Sequence, residues 1–177
     1  AVVTCNKIAA ADDLVNYQHL QELSREYGAS FLYETNVGAG LPIIDTLKNL
    51  IASGDRIHKI QAVLSGSLNF VFNTYDGTAP FYKTVEQAME EGYTEPDPKI
   101  DLSGVDVARK ILILARESGL KMELSDIENE SFLSEESLNT ENNEDFFSLL
   151  QEDESKFKAI YEDAAKDGAQ LKYVAQL

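Results

Sequence analysis

The feature of this sequence that most constrains its fold is a proline-braced acidic loop, residues 93–98, followed closely by its best-defined helix. Pro96 and Pro98 fix their own backbone angles and bias the residues before them towards extended conformations. Apolar residues then recur with helical spacing from Leu102 to about Ser118, which predicts one amphipathic helix. This order predicts that several carboxylates are held rigidly beside the start of a helix.

The predicted helix has two contrasting faces. One wide arc is apolar and comprises Val105, Val107, Ala108, Ile111, Leu112, Leu114 and Ala115. The opposite arc comprises Asp106, Arg109, Lys110 and Glu117. Asp106 and Lys110 lie one turn apart, and such pairs are usually solvated ion pairs worth about 0.2–0.5 kcal/mol. The alternative is a site in which the amine and the loop carboxylates hold a small amino acid and move a proton on it.

Strand and helix patterns alternate along the chain, which predicts a mixed α and β layer architecture. Strands are predicted over residues 1–4, 31–33, 57–64 and 171–175. Helices are predicted over residues 12–27, 41–53, 66–72, 82–91 and 102–118, with Asp12 or Asp13 capping the first and Asp101 or Ser103 capping the last. Residues 124–163 are predicted to hold one or two helices and a flexible polar stretch at 134–143.

Composition bounds the possible partners. The chain has 177 residues, which suits one domain over residues 1–177, and a formal net charge of −16. Such a field repels nucleic acid and anionic membranes, so neither is an expected partner. Cys5 is the single cysteine, which excludes an internal disulfide and fits a reducing, cytoplasmic setting. The first residue is not methionine and lies in a predicted strand, so we expect the chain to be a piece of a larger protein.

Two segments of the chain could offer binding chemistry. The acidic loop does not have the ligand spacing of a calcium-binding EF-hand. The segment from Val37 to Pro42 contains a G-x-G but lacks the third glycine of the dinucleotide fingerprint, so we reject that interpretation. Its two glycines do allow unusual backbone angles, so carbonyl groups there could converge on a cation beside Glu34.

Five segments taken together resemble homoserine dehydrogenase. In chain order they are Thr4-Cys5-Asn6-Lys7, residues 34–42 (ETNVGAGLP), residues 64–69 (LSGSLN), residues 92–98 (GYTEPDP) and residues 106–110 (DVARK). Residues 112–119 and 171–174 are most similar to the dehydrogenase half of bifunctional aspartate kinase–homoserine dehydrogenases. The resemblance extends in order over essentially the whole chain.

The resemblance implies NAD- or NADP-dependent interconversion of L-homoserine and L-aspartate 4-semialdehyde, within the biosynthesis of threonine, methionine and isoleucine. It also implies an α+β fold in which helices cover one face of a mixed β-sheet, and a homodimer or higher oligomer. The Rossmann cofactor domain of the family is absent from this sequence. We therefore expect the fragment to hold most of the substrate site, to bind the cofactor poorly and to be inactive by itself.

The resemblance also assigns roles to individual residues. It implies that Lys110 is the general acid or base and that Lys7 lies at the cofactor end of the crevice. The implied substrate-binding residues are Glu95, Asp106, Asp101, Tyr93 and Ser67. The implied site for a monovalent cation, usually sodium, comprises Glu34 with the backbone carbonyls of Val37, Ala39 and Leu41. The alternative to an enzyme is a non-catalytic acidic module for dimerisation or binding.

Overall fold

The structure is a computed structural model that describes all residues from 1 to 177, and the chain forms two compact units. Unit one comprises Ala1–Leu64, Val107–Asn129 and Ala175–Leu177, and unit two comprises Ser65–Asp106 and Glu130–Val174. Unit one contains every strand together with several helices, whereas unit two is helical. The expected α+β class is therefore confirmed. One catalytic domain over residues 1–177 stays a prediction.

The elements of unit one are β1 (Val2–Val3), α1 (Leu14–Glu26), β2 (Phe31–Leu32), α2 (Ile43–Ala52), β3 (Gln61–Ala62) and β4 (Ala175–Gln176). Those of unit two are α3 (Gly66–Thr74), α4 (Phe81–Glu90), α5 (Pro98–Leu102), α7 (Glu135–Leu138), α8 (Asn143–Glu152) and α9 (Glu154–Lys166). Helix α6 (Val105–Glu117) begins in unit two and continues in unit one. None of the helices combines the length and apolar character that a membrane span requires.

The strands form two separate pairs rather than one mixed sheet. Strands β1 and β2 are parallel, with Val2 opposite Phe31. Strands β3 and β4 are antiparallel, with Gln61 opposite Gln176. The strands predicted over residues 57–64 and 171–175 are shorter or shifted in the structure, because only the residues that find a partner backbone form a ladder.

The start of α1 differs from the predicted capping. Asp13 occupies the N-cap position, but its side chain makes no capping hydrogen bond. The carboxylate of Glu123 instead accepts from the backbone N–H of Leu14 at 2.9 and 3.0 Å. A distant acid therefore satisfies a free donor at this helix end, a role that a nearby aspartate was predicted to fill.

The predicted helix over residues 102–118 begins too early. Leu102 ends α5, Gly104 has a φ of 76°, and α6 starts at Val105. The left-handed conformation at Gly104 interrupts the helical hydrogen bonding, because it suits glycine but not a helix interior. The capping prediction is wrong for Asp101, whose carboxylate binds elsewhere, whereas the Ser103 hydroxyl accepts from the N–H of Val105 at 3.3 Å.

Unit two is built around aromatic side chains. Phe81 is buried and stacks on Phe157 with ring centroids 4.1 Å apart. The Glu154 carboxylate accepts from the Phe81 N–H at 2.6 Å and from the Tyr75 hydroxyl at 3.1 Å. Burial, followed by the charge of Glu154, raises the pKa of Tyr75 above its usual range.

Residues 134–143 are not simply a polar loop, because they include α7 and the fully buried Ser137.

Candidate active site

The acidic loop of unit two is fixed by one carboxylate. Asp101 Oδ1 accepts from the Ser67 hydroxyl at 2.8 Å, and Asp101 Oδ2 accepts from the Glu95 N–H at 2.8 Å. Ser67 lies in the first turn of α3 and is 7% exposed. Three of the predicted substrate-binding residues are thus brought together. Both carboxylate oxygens of Asp101 are engaged by protein donors, whereas the Glu95 side chain is exposed.

Tyr93 forms the other end of the same loop. It follows Gly92, whose φ of 76° turns the chain at the end of α4. The Tyr93 ring stacks on Phe70 with centroids 4.1 Å apart and planes inclined by 19°. Tyr93 is nevertheless 47% exposed, so the residue stays accessible to solvent. The sequence carries no sign of the contact with Phe70, because this residue lies on α3, which is distant in sequence from the loop that holds Tyr93.

Helix α6 carries the predicted acid or base. Asp106 and Lys110 are half-buried and lie one turn apart on this helix. Lys110 Nζ donates to the backbone carbonyl of Leu64 at 2.7 Å. This bond orients the amine through a main-chain oxygen, which is fixed more firmly than an exposed side chain would be. The roles of Asp106 and Lys110, as a surface ion pair or as part of a site, stay predictions.

The loop from Glu34 to Pro42 belongs to unit one and ends at α2. The Glu34 carboxylate accepts from the N–H groups of Ile44 at 2.9 Å and Asp45 at 2.8 Å, at the start of that helix. An acid at this place neutralises free donors and complements the helix dipole. Gly38 and Ala39 have φ values of 81° and 51°, so the chain between them takes left-handed conformations.

The hydrogen bonds of this loop bear on which of its oxygen atoms could bind the predicted cation. Both Glu34 side-chain oxygens are already bonded to the start of α2. Asn36 is fully buried, and its Oδ1 has no hydrogen-bond partner although its Nδ2 donates to the Asn6 carbonyl at 3.3 Å. The structure has no cluster of three or more His, Cys, Asp or Glu side chains suited to a metal. Any cation here would therefore depend on main-chain and amide oxygens.

Lys7 lies in the turn that follows β1. Its carbonyl accepts from the Ala11 N–H at 2.9 Å, and the side chain of the preceding Asn6 accepts from the Ile8 N–H at 2.8 Å. These bonds fix the turn at the carboxyl end of a parallel strand, where ligand crevices of α/β folds form. Lys7 is half-buried in this turn, and its contact with the cofactor stays a prediction.

The end of α6 holds a buried polar network that sequence reasoning missed. The Glu117 side chain is 6% exposed, not solvated as its helical arc predicted. Glu117 Oε1 accepts from the Tyr17 hydroxyl at 2.9 Å and from the Tyr33 hydroxyl, and Lys48 Nζ lies 3.5 Å from Oε2. Burial, then the Glu117 charge, raises the pKa of both tyrosines above the usual range.

Comparison with known proteins identifies the class of this chain. A family model described as homoserine dehydrogenase matches residues 42–177. The bifunctional aspartokinase/homoserine dehydrogenase of Haemophilus influenzae is 43% identical over 99% of the chain and 22% of that protein. The homoserine dehydrogenase of Schizosaccharomyces pombe is 41% identical over 99% of the chain and 48% of that protein.

Solved structures with a similar fold include proteins of the same class. A Candida auris protein of unknown function has a TM-score of 0.93 and 34% identity, over 100% of this chain and 51% of that one. A hyperthermophilic archaeal homoserine dehydrogenase in complex with NADPH has a TM-score of 0.62 and 30% identity, over 72% and 41% of the two chains. The chain belongs to the homoserine dehydrogenase family, and it spans about half the length of the S. pombe enzyme and about a fifth of the H. influenzae one.

Proposed function

We propose that this chain forms the substrate-binding part of an oxidoreductase that interconverts L-homoserine and L-aspartate 4-semialdehyde. The observation that carries the proposal is the hydrogen-bonded arrangement of Ser67, Asp101 and Glu95, followed in sequence by the helix that bears Asp106 and Lys110. Family membership supplies the reaction class. The reaction would serve the biosynthesis of threonine, methionine and isoleucine, in the cytoplasm.

Oxidation of homoserine removes two hydrogens from its terminal carbinol. The carbinol carbon loses a hydride, and the hydroxyl group loses a proton as the carbonyl forms. Lys110 is the proposed proton acceptor, since its amine is oriented by the Leu64 carbonyl and an amine can act as general base when neutral. In the reverse reduction the Lys110 ammonium would return the proton to the forming hydroxyl group.

The loop carboxylates are proposed to bind the amino-acid end of the substrate. The ammonium group of homoserine requires an anionic partner, and the exposed Glu95 carboxylate supplies one. Asp106 contributes a second negative charge on α6, and the hydroxyl of the exposed Tyr93 is a further proposed polar contact. This set recognises an amino acid through charge and hydrogen bonds rather than through an apolar pocket.

A cofactor is required to accept the hydride, and we propose NAD or NADP in that role. A structure of an archaeal homoserine dehydrogenase in complex with NADPH supports this choice. Lys7 is the residue of this chain proposed to contact the cofactor, because a cation at the carboxyl end of β1 suits an anionic dinucleotide. The remaining contacts are proposed to come from a cofactor domain outside this sequence.

The test of the function is a direct assay of the full-length protein. Reduction of NAD or NADP is measured by absorbance with L-homoserine, and with L-2-aminobutyrate as the matched control that lacks the hydroxyl group. A rate that depends on homoserine and is absent with aminobutyrate is expected. Equal rates with both compounds, or no rate with either cofactor, would contradict the proposed reaction.

Asp101 is proposed to act by positioning the loop, since Ser67 and the Glu95 N–H occupy both of its oxygens. In Asp101→Asn, one amide oxygen replaces two carboxylate acceptors, so one of these donors loses its partner. Because hydrogen bonds to charged groups contribute about 1.5–3 kcal/mol, we expect the KM for homoserine to rise about tenfold or more. Steady-state kinetics measure this, with the exposed Asp55→Asn as control, and an unchanged KM would contradict the assignment.

The cation proposal retains the carbonyl groups of Val37, Ala39 and Leu41, with Glu34 shaping the loop through its bond to α2. It is supported by the left-handed backbone at Gly38 and Ala39 and by the unpartnered amide oxygen of Asn36. Sodium is the proposed ion, because it binds hard oxygen ligands and requires no carboxylate cluster. The role of the ion would be structural, holding the loop between β2 and α2.

Gly38→Ala tests this loop. A Cβ at Gly38 would lie 2.5 Å from Ile43 Cγ1, and the φ of 81° disfavours any side chain. We expect the variant to lose any increase in melting temperature that the wild type gains from sodium chloride over choline chloride. Gly54→Ala is the matched control, because its φ of 89° is similarly strained but nothing lies within 4 Å of its Cβ. An equal sodium response in all three proteins would contradict the proposed site.

A non-catalytic role in assembly is the second candidate, and one observation favours it alongside catalysis. Unit one exposes apolar side chains on its short strands and beside them: Val2 is 57% exposed, Val3 78%, Leu32 51% and Val63 44%. Short strand pairs with exposed apolar residues are suited to pairing with a second copy. We therefore propose a homodimer or higher oligomer in which this surface is covered.

A further inference from the structure

Lys99 is a buried lysine that neither the proposed reaction nor its substrate contacts use. It follows Pro98 in the short helix α5 and is only 9% exposed. Lysine is almost never buried unless its charge is paired, because removal of an ammonium group from water is costly. Its position directly after the acidic loop therefore requires a physical explanation.

Two contacts compensate the charge of Lys99. Its Nζ lies 3.0 Å from Asp97 Oδ1, within the acidic loop. The same Nζ lies 5.4 Å from the centroid of the Phe146 ring, within the range of a cation–π interaction. Phe146 is fully buried on α8. One ammonium group thus joins the acidic loop to a helix that is distant in sequence.

A second contact joins the same two segments. Asn143 Nδ2, on the first residue of α8, donates to the carbonyl of Pro96 at 2.9 Å. Pro96 directly follows Glu95, so its carbonyl and the Glu95 side chain belong to adjacent residues. Helix α8 therefore contacts the acidic loop directly at Pro96 and, through Lys99, indirectly at Asp97.

Glu95 is consequently held from both sides. Its own N–H is bound by Asp101, while the next two residues are bound by Asn143 and Lys99. Contacts at three successive residues leave the backbone of this loop little freedom, so the Glu95 side chain projects from a defined position. Such preorganisation lowers the ordering cost of binding a small ligand.

We propose that Lys99 and Asn143 are positioning residues, which use α8 to hold the Glu95 carboxylate where it binds the ammonium group of the substrate. This rests on the proposed function of Glu95. A purely structural Lys99 would affect the stability of unit two but leave substrate affinity unchanged in the folded enzyme. The two roles therefore differ in the KM for homoserine, not in the melting temperature.

The experiment uses the full-length enzyme with homoserine varied at saturating cofactor. Lys99→Met keeps the aliphatic stem but removes the charge, and we expect the KM for homoserine to rise about tenfold with kcat changed less than about threefold. Lys99→Arg keeps both the ion pair and the contact with the ring, and should restore most of the affinity. The KM for the cofactor should not change in either variant.

Lys83→Met is the matched control. Lys83 also pairs with an acid, Glu86 at 2.6 Å, and lies 4.9 Å from an aromatic centroid, that of Tyr82, but it has no contact with the acidic loop. Its removal should leave the KM unchanged. If Lys99→Met lowers the melting temperature but binds homoserine like the wild type, the inference is overturned.

Two further variants keep the result decisive. Asn143→Ala removes the hydrogen bond to the Pro96 carbonyl and should raise the KM for homoserine about fivefold. This variant remains informative even if Lys99→Met fails to fold. An unchanged KM in Asn143→Ala would then overturn the inference. Glu95→Gln reports on the proposed function itself and should raise the KM most. If Glu95→Gln has no effect, ammonium binding by Glu95 is refuted, and any KM change in Lys99→Met must arise in another way, which also refutes positioning.

Discussion

Lys110→Ala is expected to lower kcat by about 10²–10⁴-fold, the usual contribution of a positioned general acid or base. The amine that would take the hydroxyl proton is then absent, while α6 keeps its fold because alanine is a strong helix former. The loss should appear in kcat and in kcat/KM together, as expected for an interaction needed mainly in the transition state. Steady-state kinetic assays of the full-length enzyme measure the loss of kcat.

Lys110→Arg separates proton transfer from charge. Arginine keeps the positive charge and can still donate to the Leu64 carbonyl, but it does not deprotonate in proteins. Turnover should therefore stay low in this variant while its melting temperature matches that of the wild type. If Lys110→Arg retained more than about a tenth of the wild-type kcat, charge alone would suffice and the acid–base role would be refuted.

Local patterns predicted the helices well. The apolar spacing that predicted the long helix is found in α6, because a repeat of about 3.6 residues depends only on neighbouring positions. The break at Gly104 was missed, since the sequence does not reveal which glycine adopts a positive φ. The arc assignments erred in a similar way: Val105 is 39% exposed, while Ile113 is buried.

The candidate site depends on contacts that a single sequence cannot reveal. Asp101 looked like a helix cap, yet its partner Ser67 is 34 residues away. Glu123 caps α1 from a distance of 109 residues. Helix α8 lies in a segment for which the sequence predicts only one or two helices, but Asn143 binds the acidic loop and Phe146 contacts Lys99. These roles follow from tertiary packing, which places residues together without any signature in their spacing.

Arg116 is the clearest case of such a residue, and its removal should have the largest effect on stability. Its side chain is fully buried and its donors bind the carbonyls of Ala10 at 3.1 Å, Asp12 at 2.7 Å and Met122 at 3.0 Å. It also pairs with Glu123 at 3.1 Å. A guanidinium group presents several donors in a rigid fork, so one side chain joins two separate segments of unit one, residues 10–12 and 122–123, to α6.

Arg116→Met should lower the free energy of unfolding by about 3–5 kcal/mol, because each buried acceptor that loses its hydrogen-bond donor costs about 1–3 kcal/mol. Methionine has a similar length but no donors, so three carbonyls are left without their partner. Thermal and urea denaturation of the full-length protein measure the loss. The stability of Arg116→Lys should fall between those of the wild type and Arg116→Met, because an ammonium group has fewer donors than a guanidinium group and lacks its rigid fork.

Arg25→Met is the matched control, since Arg25 lies on the exposed face of α1 and donates only to the carbonyl of Gln21 at 3.3 Å. A surface substitution of this kind should change stability by no more than about 0.5 kcal/mol. If Arg116→Met were as stable as Arg25→Met, the buried guanidinium would not be what joins these segments. A large loss confined to Arg116→Met would instead show that the end of α6 is fixed by charge and hydrogen bonds, on the same helix that presents Lys110.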